Sequence, residues 1–416
     1  MLSFIHRIEK KHIGWLINTL VFSFFITVLT FKKGYSYAPM TLAIIGVIYL
    51  FYYLFVEKRK LNATKEDKWL IFAFVFYFST FALSAVIHGD GWREIDNPSR
   101  VLLFLPLLLL FREFPIDIRV ILHGISFGSA IAGITAIYQR FYLDWYVAFV
   151  NSMSIQSGDI AISLAMMSFA IAIYWGIKKE YKFLIFSLLC SFAGILASGL
   201  SGARGGWIGI PIILTLILYF AYKKLSKKFV IVMSSSIFIL IMAITLSSQT
   251  NILNRIKIAQ DEFVSYVESN NKNTSVGARL DMWQSGLLGI KEKPLLGWGK
   301  DQYIFLKKQQ LEQGIIAPST YSFNDAHNQY IDTFVKRGLI GFLGLLNILL
   351  IPLFYFFKQF IQNDMRVKIV GLIGLVHILS VIFFSITQSF FAHNSGSIFY
   401  FFVVILLYRV AEGLKK

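Results

Sequence analysis

The chain has 416 residues, of which 56% are hydrophobic and only 15% are charged. Soluble domains carry about 25% charged residues, so this composition excludes a water-soluble enzyme and a disordered chain. A single cysteine excludes a disulfide scaffold. The formal net charge of +17 does not call for nucleic acid, because membrane proteins concentrate Lys and Arg in cytoplasmic loops. The composition therefore indicates an all-α, polytopic integral membrane protein.

The apolar stretches predict about twelve transmembrane helices, since each crossing takes about 20 residues. An even number of spans places both termini on one side of the membrane. The fourth stretch is short and contains Pro106, which makes its limits the least defined. The predicted spans are residues 13–31, 38–56, 68–87, 99–111, 117–138, 157–176, 181–199, 206–222, 228–247, 337–357, 367–387 and 396–412.

Lysine and arginine are distributed unevenly between the two sides of this arrangement. They crowd into the connections on the side of the termini, for example at Lys58-Arg59-Lys60 and at Lys223-Lys224. Short connections on the other side hold few of them. The positive-inside rule therefore predicts that both termini are cytoplasmic and that the other side is external.

One external connection, residues 248–329, is far longer than the others, and loops of this length are usually functional or separately structured. We divide the chain into spans one to nine (1–247), a cap loop (248–329) and spans ten to twelve (330–416). Within the cap, a second helix is expected to start near Arg279, and Lys293-Pro294-Leu295-Leu296-Gly297 is typical of a helix stop and turn. Apolar residues at near-helical spacing predict a first, amphipathic helix on the membrane surface; they are Ile252, Ile256, Phe263 and Val267.

Arg204 stands out because a charge at membrane depth is costly and usually pairs, faces water or has a function. It lies in Ser201-Gly202-Ala203-Arg204-Gly205, an outer turn between the seventh and eighth spans. Glycines let the backbone approach a ligand, and a guanidinium suits phosphate oxygens. An arginine that anchors a helix end among lipid headgroups would give the same pattern, so both interpretations stay open.

Arg279 and His327 are the other candidates for chemistry. Arg279 follows Gly277 at the entry to a helix, where an arginine and a helix N-terminus together favour an anion; a solvated arginine paired with Asp281 is the alternative. His327 lies where the cap loop re-enters the membrane and could act as a general base. Asp325 or Asn328 could orient it, although a lone interfacial histidine can also be purely structural.

Other polar groups point to competing chemistry. Glu94 and Asp96, in the second outer connection, could hold a divalent cation or form a solvated acidic loop. His123 and His377 lie within spans and could relay protons, but small residues beside His123 favour a packing role. The outer-facing residues contain no zinc-type cluster, Walker loop or nucleophile elbow.

Taken in order, these motifs resemble the O-antigen ligase family, within the group that includes O-antigen polymerases and protein O-oligosaccharyltransferases. The specific part covers roughly residues 190–345, and the long external loop also matches. The matching pieces are Ser201-Gly202-Ala203-Arg204-Gly205, Gly277-Ala278-Arg279 with Trp283, Pro294-Leu295-Leu296-Gly297-Trp298-Gly299, His327-Asn328-Gln329-Tyr330 and Gly338-Leu339-Ile340-Gly341.

The resemblance implies a GT-C-like, metal-independent, inverting glycosyltransferase that needs no cofactor and works at the periplasmic face of the bacterial inner membrane. Its donor would be a glycan on undecaprenyl pyrophosphate, and its acceptor a sugar hydroxyl of lipid A–core. The family's functional residues fall on Arg204 and Arg279, which would bind the pyrophosphate, and on His327 as the base. Trp283 and Asn328 are expected to help bind substrate.

Three functions stay open at this stage. The first is the ligase. The second is a polymerase or a protein O-oligosaccharyltransferase with the same lipid-linked donor, although only one large external loop and little sequence after the last span favour the ligase. The third, a transporter or flippase, would need polar groups along a path through the membrane, whereas the candidates cluster at one face.

Overall fold

A computed structural model describes residues 2–203, 205–247 and 252–415, without the side chains of residues 2–9, 244, 252, 253, 255 and 256. Every regular element in these ranges is a helix, which confirms the all-α prediction. The helices are α1 (Leu2–Thr27), α2 (Gly34–Phe51), α3 (Lys65–His88), α4 (Asp96–Phe104), α5 (Leu107–Glu113), α6 (Ile118–Ile137), α7 (Ser154–Ile177), α8 (Tyr181–Leu200), α9 (Ile210–Tyr222), α10 (Lys227–Leu246), α11 (Ile252–Ser269), α12 (Ser275–Glu292), α13 (Lys300–Glu312), α14 (Pro318–Tyr321), α15 (Gln329–Phe360), α16 (Met365–Thr387) and α17 (Asn394–Leu414).

In the described ranges, 9 helical stretches are long and apolar enough to cross a membrane, and each matches a predicted span. The other predicted spans coincide with α1, with α10 and with the pair α4 and α5. That pair is interrupted at Leu105-Pro106, where proline lacks the amide hydrogen that a continuous helix needs. A multi-pass membrane protein is therefore established, while the total of about twelve spans stays a prediction.

Close approach of small residues holds the central helices together. Between helices in lipid, packing and interhelical hydrogen bonds replace the hydrophobic driving force. A Cβ added at Gly133 would lie 2.6 Å from that of Ala193, and one at Gly194 would lie 2.2 Å from the Ser129 hydroxyl. The Ser168 hydroxyl donates to the Ser187 carbonyl at 2.8 Å. The contacts of α6, α7 and α8 therefore depend on residues too small to separate the backbones.

Buried polar contacts join the helix ends that lie with the chain termini. Arg409 of α17 pairs with Asp67 at the start of α3 at 2.9 Å, and the Tyr408 hydroxyl donates to the same carboxylate at 2.6 Å. The Tyr355 hydroxyl donates to Glu412 at 2.7 Å. These contacts fix one end of the bundle, and the order of the helices places residues 252–329 at the opposite end.

The cap loop carries α11 to α14, and both predicted helices are present. The second begins at Ser275 rather than near Arg279, because Thr274 caps it by accepting the Gly277 amide hydrogen at 3.0 Å. It ends at Glu292, and Gly297 has a φ of 71°, which confirms the predicted stop and turn. On α11, Phe263 and Val267 are exposed, as a helix lying on a membrane surface requires; the Ile252 and Ile256 side chains lie outside the described residues.

A break in α15 fastens the cap to the bundle. Gly338 interrupts the helix with φ 61° and ψ −163°, which frees the carbonyl groups that precede it. The Val335 carbonyl accepts the Trp298 amide at 2.9 Å, and the Lys336 carbonyl accepts the Gly299 amide at 2.8 Å. In return, the Leu339 amide donates to the Pro294 carbonyl at 2.8 Å. Two of the short motifs, at 294–299 and 338–341, are thus halves of one backbone junction.

Gly338→Ala is expected to destabilise the protein by roughly 2–5 kcal/mol, since this backbone conformation is accessible essentially only to glycine. The added Cβ would also lie 2.2 Å from the Leu295 carbonyl oxygen. Thermal unfolding in detergent measures the effect. Gly413→Ala is the matched control, because nothing lies within 4 Å of a Cβ there. Equal unfolding temperatures for the two variants would show that the junction adds no stability.

Candidate functional site

The segment between α14 and α15, residues 322–328, carries His327 and is called the histidine loop. Hydrogen bonds from α15 hold its backbone. The Ala326 amide donates to Asp332 at 3.2 Å, and Lys336 donates to the Asn324 carbonyl at 3.0 Å. Lys336 and Asp332 also pair with each other at 2.7 Å. The loop is therefore fixed before any substrate arrives, as a catalytic group requires.

Two cap helices hold the same loop from the other side. The Trp283 indole of α12 donates to the Ala326 carbonyl at 3.0 Å. Lys307 of α13 donates to the carbonyl groups of Phe323 and of Tyr321. Burial, with a contribution from the positive charge of Lys336, lowers the pKa of Lys307 to about 8. Trp283, expected to bind substrate, uses its only polar hydrogen to position the loop.

Asp325 faces the imidazole of His327. Its Oδ1 accepts the His327 amide hydrogen at 2.8 Å and the Ser389 hydroxyl at 3.0 Å, and lies 3.7 Å from Nδ1 of the ring. Burial by itself would raise the pKa of Asp325, but His327, its amide hydrogen, Lys336 and Ser389 together hold that pKa below its ordinary value. An ionised carboxylate therefore faces the ring.

Asn328, the other residue expected to orient His327, caps α15 through its side-chain oxygen. Its Oδ1 accepts the amide hydrogens of Tyr330 at 3.0 Å and of Ile331 at 3.2 Å. His327 itself has a φ of 45°, and its side chain is 27% exposed. The Nδ1 atom is buried, faces Asp325 and has no hydrogen-bond partner among the described residues. Nε2 is therefore the ring nitrogen that a ligand can approach.

Arg279 lies on α12 one helical turn before Trp283, so both side chains share a face of that helix. It is half-buried, and burial lowers its pKa while Glu262 opposes the shift. No hydrogen bond or ion pair joins it to another described residue. The suggested partner Asp281 instead pairs with Lys272 at 2.9 Å. A half-buried guanidinium without an acceptor favours an anionic ligand.

The start of α12 does not add to that anion site as the sequence suggested. The Val276 amide donates to Glu262 at 2.9 Å, and the Gly277 amide donates to Thr274 at 3.0 Å. The first-turn amides that these bonds occupy cannot also receive a ligand oxygen. At this position the guanidinium of Arg279, rather than the helix end, is available to an anion.

Arg204 lies outside the described residues, but its neighbours are placed. A Cβ at Gly205 would lie 2.0 Å from the Thr387 hydroxyl, and one at Gly206 would lie 2.6 Å from the buried carboxylate of Asp159. The residues that directly follow position 204 therefore pack against the end of α16. Ser389, two residues beyond Thr387, is the residue that bonds Asp325.

The residues that follow position 204 and the histidine loop both contact residues 387–389. Helix α12 is joined to this region only through the bond from Trp283 to the loop. Sequence reasoning missed Ser389 and Asp159, both buried. The available signal was a polar group within or beside an apolar stretch, because such a group costs free energy in a membrane unless it forms a hydrogen bond.

The competing sites are differently arranged. Glu94 pairs with Lys300, and Asp96 pairs with Arg100 at 3.1 Å, so each carboxylate already faces a cation. Among the described residues no group of three or more His, Cys, Asp or Glu is placed to hold a metal ion. His377 is buried with Nε2 3.3 Å from the Tyr400 carbonyl oxygen, which supports a packing role.

Comparison with known proteins adds two findings. A family model described as O-antigen ligase matches residues 189–346, the part of the chain that contains Arg204, Arg279 and His327. An uncharacterized protein of Haemophilus influenzae is 46% identical over 395 residues, which cover 95% of this chain and 98% of that protein. The family match therefore falls on the cap and the helices that surround it.

Proposed function

The chain belongs to the O-antigen ligase family, and on this basis we propose that it transfers a glycan from undecaprenyl pyrophosphate to a sugar hydroxyl of lipid A–core. The observation that carries the proposal is the His327 ring, whose buried Nδ1 lies 3.7 Å from an ionised Asp325, which leaves Nε2 to face a substrate. Arg279, without an acceptor there, lies one turn from the tryptophan that bonds the same loop.

In this reaction His327 removes the proton from the acceptor hydroxyl, and Asp325 stabilises the imidazolium that forms. The acceptor oxygen bonds to the anomeric carbon on the face opposite the diphosphate, which inverts the configuration there. The bond between that carbon and the diphosphate oxygen breaks, and undecaprenyl pyrophosphate leaves with the electron pair. Arg279 and Arg204 stabilise the growing negative charge, a role that other enzymes give to a metal ion.

The proposed topology follows from the same arrangement. The cap loop, residues 248–329, and the site are periplasmic, and both termini are cytoplasmic. Support comes from the helix order, which places the cap opposite the terminal ends, and from the lysines and arginines near those ends. Spans in 1–247 and in 330–416 then form a GT-C-like membrane body of about twelve helices in the inner membrane.

The lipopolysaccharide pattern of a deletion strain tests the proposal. Loss of all attached glycan, with lipid-linked polymer accumulating, is expected for a ligase. A single repeat unit still attached would identify a polymerase instead, and unchanged lipopolysaccharide with loss of glycan from proteins would identify a protein O-oligosaccharyltransferase. Complementation with the wild-type gene is the control for effects on neighbouring genes.

A further inference from the structure

A polar cavity of about 270 Å³ lies behind the histidine loop, between that loop, the connection at residues 93–98 and the start of α15. Asp325 forms part of its wall, and the same carboxylate accepts the His327 amide hydrogen. One side chain therefore separates this cavity from the imidazole. Arg279, assigned above to the donor diphosphate, does not line it.

Four cationic side chains line the cavity, and two of them are neutralised. Lys300 pairs with Glu94, and Lys336 pairs with Asp332 at 2.7 Å. The other two, Arg93 and Arg337, have no hydrogen-bond or ion-pair partner in the described part of the chain. The ionised Asp325 also lines the cavity, so four cations and three carboxylates leave it a net charge of +1. That charge and the two unpaired guanidinium groups attract an anion.

The geometry of Arg337 suits an anionic ligand. Its guanidinium carbon lies 3.6 Å from the centre of the Phe81 ring, so the ring supports the face of the guanidinium. Stacking leaves the N–H edges free, and a fixed guanidinium edge matches two oxygens of a phosphate or carboxylate. Its position, one residue before the break at Gly338, belongs to the backbone junction and is therefore fixed as well.

The other walls suit a sugar. Tyr77 and Phe391 contribute aromatic surface, and Asn97 and Gln329 contribute amide groups. The volume is below the roughly 300–1,000 Å³ of cavities that enclose drug-sized ligands, so the space suits one sugar ring rather than an oligosaccharide.

We propose that this cavity binds an anionic substituent, a phosphate or a carboxylate, on the acceptor sugar, and so fixes which hydroxyl faces His327. The inference rests on the proposed ligase function. It assigns the anion to the acceptor rather than to the donor diphosphate because the cavity lies on the Asp325 side of the histidine loop, whereas Arg279 lies on α12, which bonds that loop through Trp283.

Transfer kinetics with the purified enzyme test the source of the anion. Arg337→Gln and Arg93→Gln should each raise the KM for an acceptor carrying the anionic group by about 10- to 100-fold, as expected for loss of a charge-assisted hydrogen bond, and leave the donor KM unchanged. Arg93 is exposed, so its replacement should not impair folding. Arg366→Gln is the matched control, because Arg366 is exposed, pairs with Asp364 and lies outside the cavity wall. Unchanged acceptor KM in both variants, or a raised donor KM, overturns the assignment.

Binding of a hexose phosphate to the purified protein tests the cavity without transfer. Wild type and Arg366→Gln should bind it equally, and Arg337→Gln and Arg93→Gln about 10- to 100-fold more weakly. Equal affinity in all four proteins overturns the site. Weaker binding in the two cavity variants, together with a wild-type protein that transfers no glycan, supports the anion site and instead refutes the ligase function.

Discussion

His327→Ala is expected to lower the rate of glycan transfer by about 10²–10⁴-fold, the usual contribution of a general base. The protein should still fold, because the bonds that hold the histidine loop run through Ala326, Asn324 and the His327 amide, not through the imidazole. Initial rates with purified donor and acceptor measure the loss. His88→Ala is the control, since His88 lies at the same end of the bundle, 3.2 Å from the Leu296 carbonyl oxygen.

Asp325→Asn provides a second test of the same assignment. Because the pKa of Asp325 is held below its ordinary value of 3.8, the carboxylate stays ionised across pH 5–8 and can stabilise the positive charge that the ring acquires in the transfer step. Removing that carboxylate charge should therefore lower kcat across this pH range. A normal rate for His327→Ala, or an unchanged kcat for Asp325→Asn, would contradict the assignment of His327 as the base.

Arg279→Ala is expected to reduce kcat by about 10²–10³-fold, which is typical when one preorganised donor to a developing negative charge is lost. The guanidinium has no acceptor among the described residues, so its removal breaks no internal bond and should not disturb the fold. Arg279→Lys keeps the charge but loses the forked geometry, and an intermediate rate is expected. Glycan attachment in complemented cells and kcat with purified substrates both report the effect.

Two further variants serve as comparisons for Arg279→Ala. Arg366→Ala, at the opposite end of the bundle in an exposed pair with Asp364, should attach glycan normally. Arg204→Ala should behave like Arg279→Ala if both guanidinium groups bind the diphosphate. Near-normal attachment by Arg279→Ala would mean that the charge on the leaving group is stabilised elsewhere.

Much of the helical pattern was predictable because lipid demands long apolar segments, and the confirmed spans follow from that demand alone. The ends of the helices were harder to predict from the sequence. The start of α12 at Ser275 depends on Thr274 and on Glu262, a residue of the preceding helix. The helix break at Gly338 could not be predicted from the residues of its own span, because the backbone that packs against Gly338 belongs to Leu295 and Leu296 in the cap.

The candidate site was predictable in its residue types but not in their partners. His327 and Arg279 could be selected because charge near a membrane is rare and motifs accompany it. Pairings between distant residues, such as Ser389 with Asp325 or Glu94 with Lys300, depend on tertiary contacts that no local pattern encodes. The bonds from the Trp283 indole and to Asn328 Oδ1 are of the same kind, and the expected role of these two residues in substrate binding stays a prediction.

The junction at Gly338 also determines where related proteins can be recombined. A chimera that exchanges residues 248–329 alone would combine one parent's 294–299 segment with the other parent's helix break. The three backbone hydrogen bonds of the junction would then join segments from different parents. A crossover placed after Gly341 transfers both halves as a unit. Swaps intended to change acceptor preference should therefore use that later boundary.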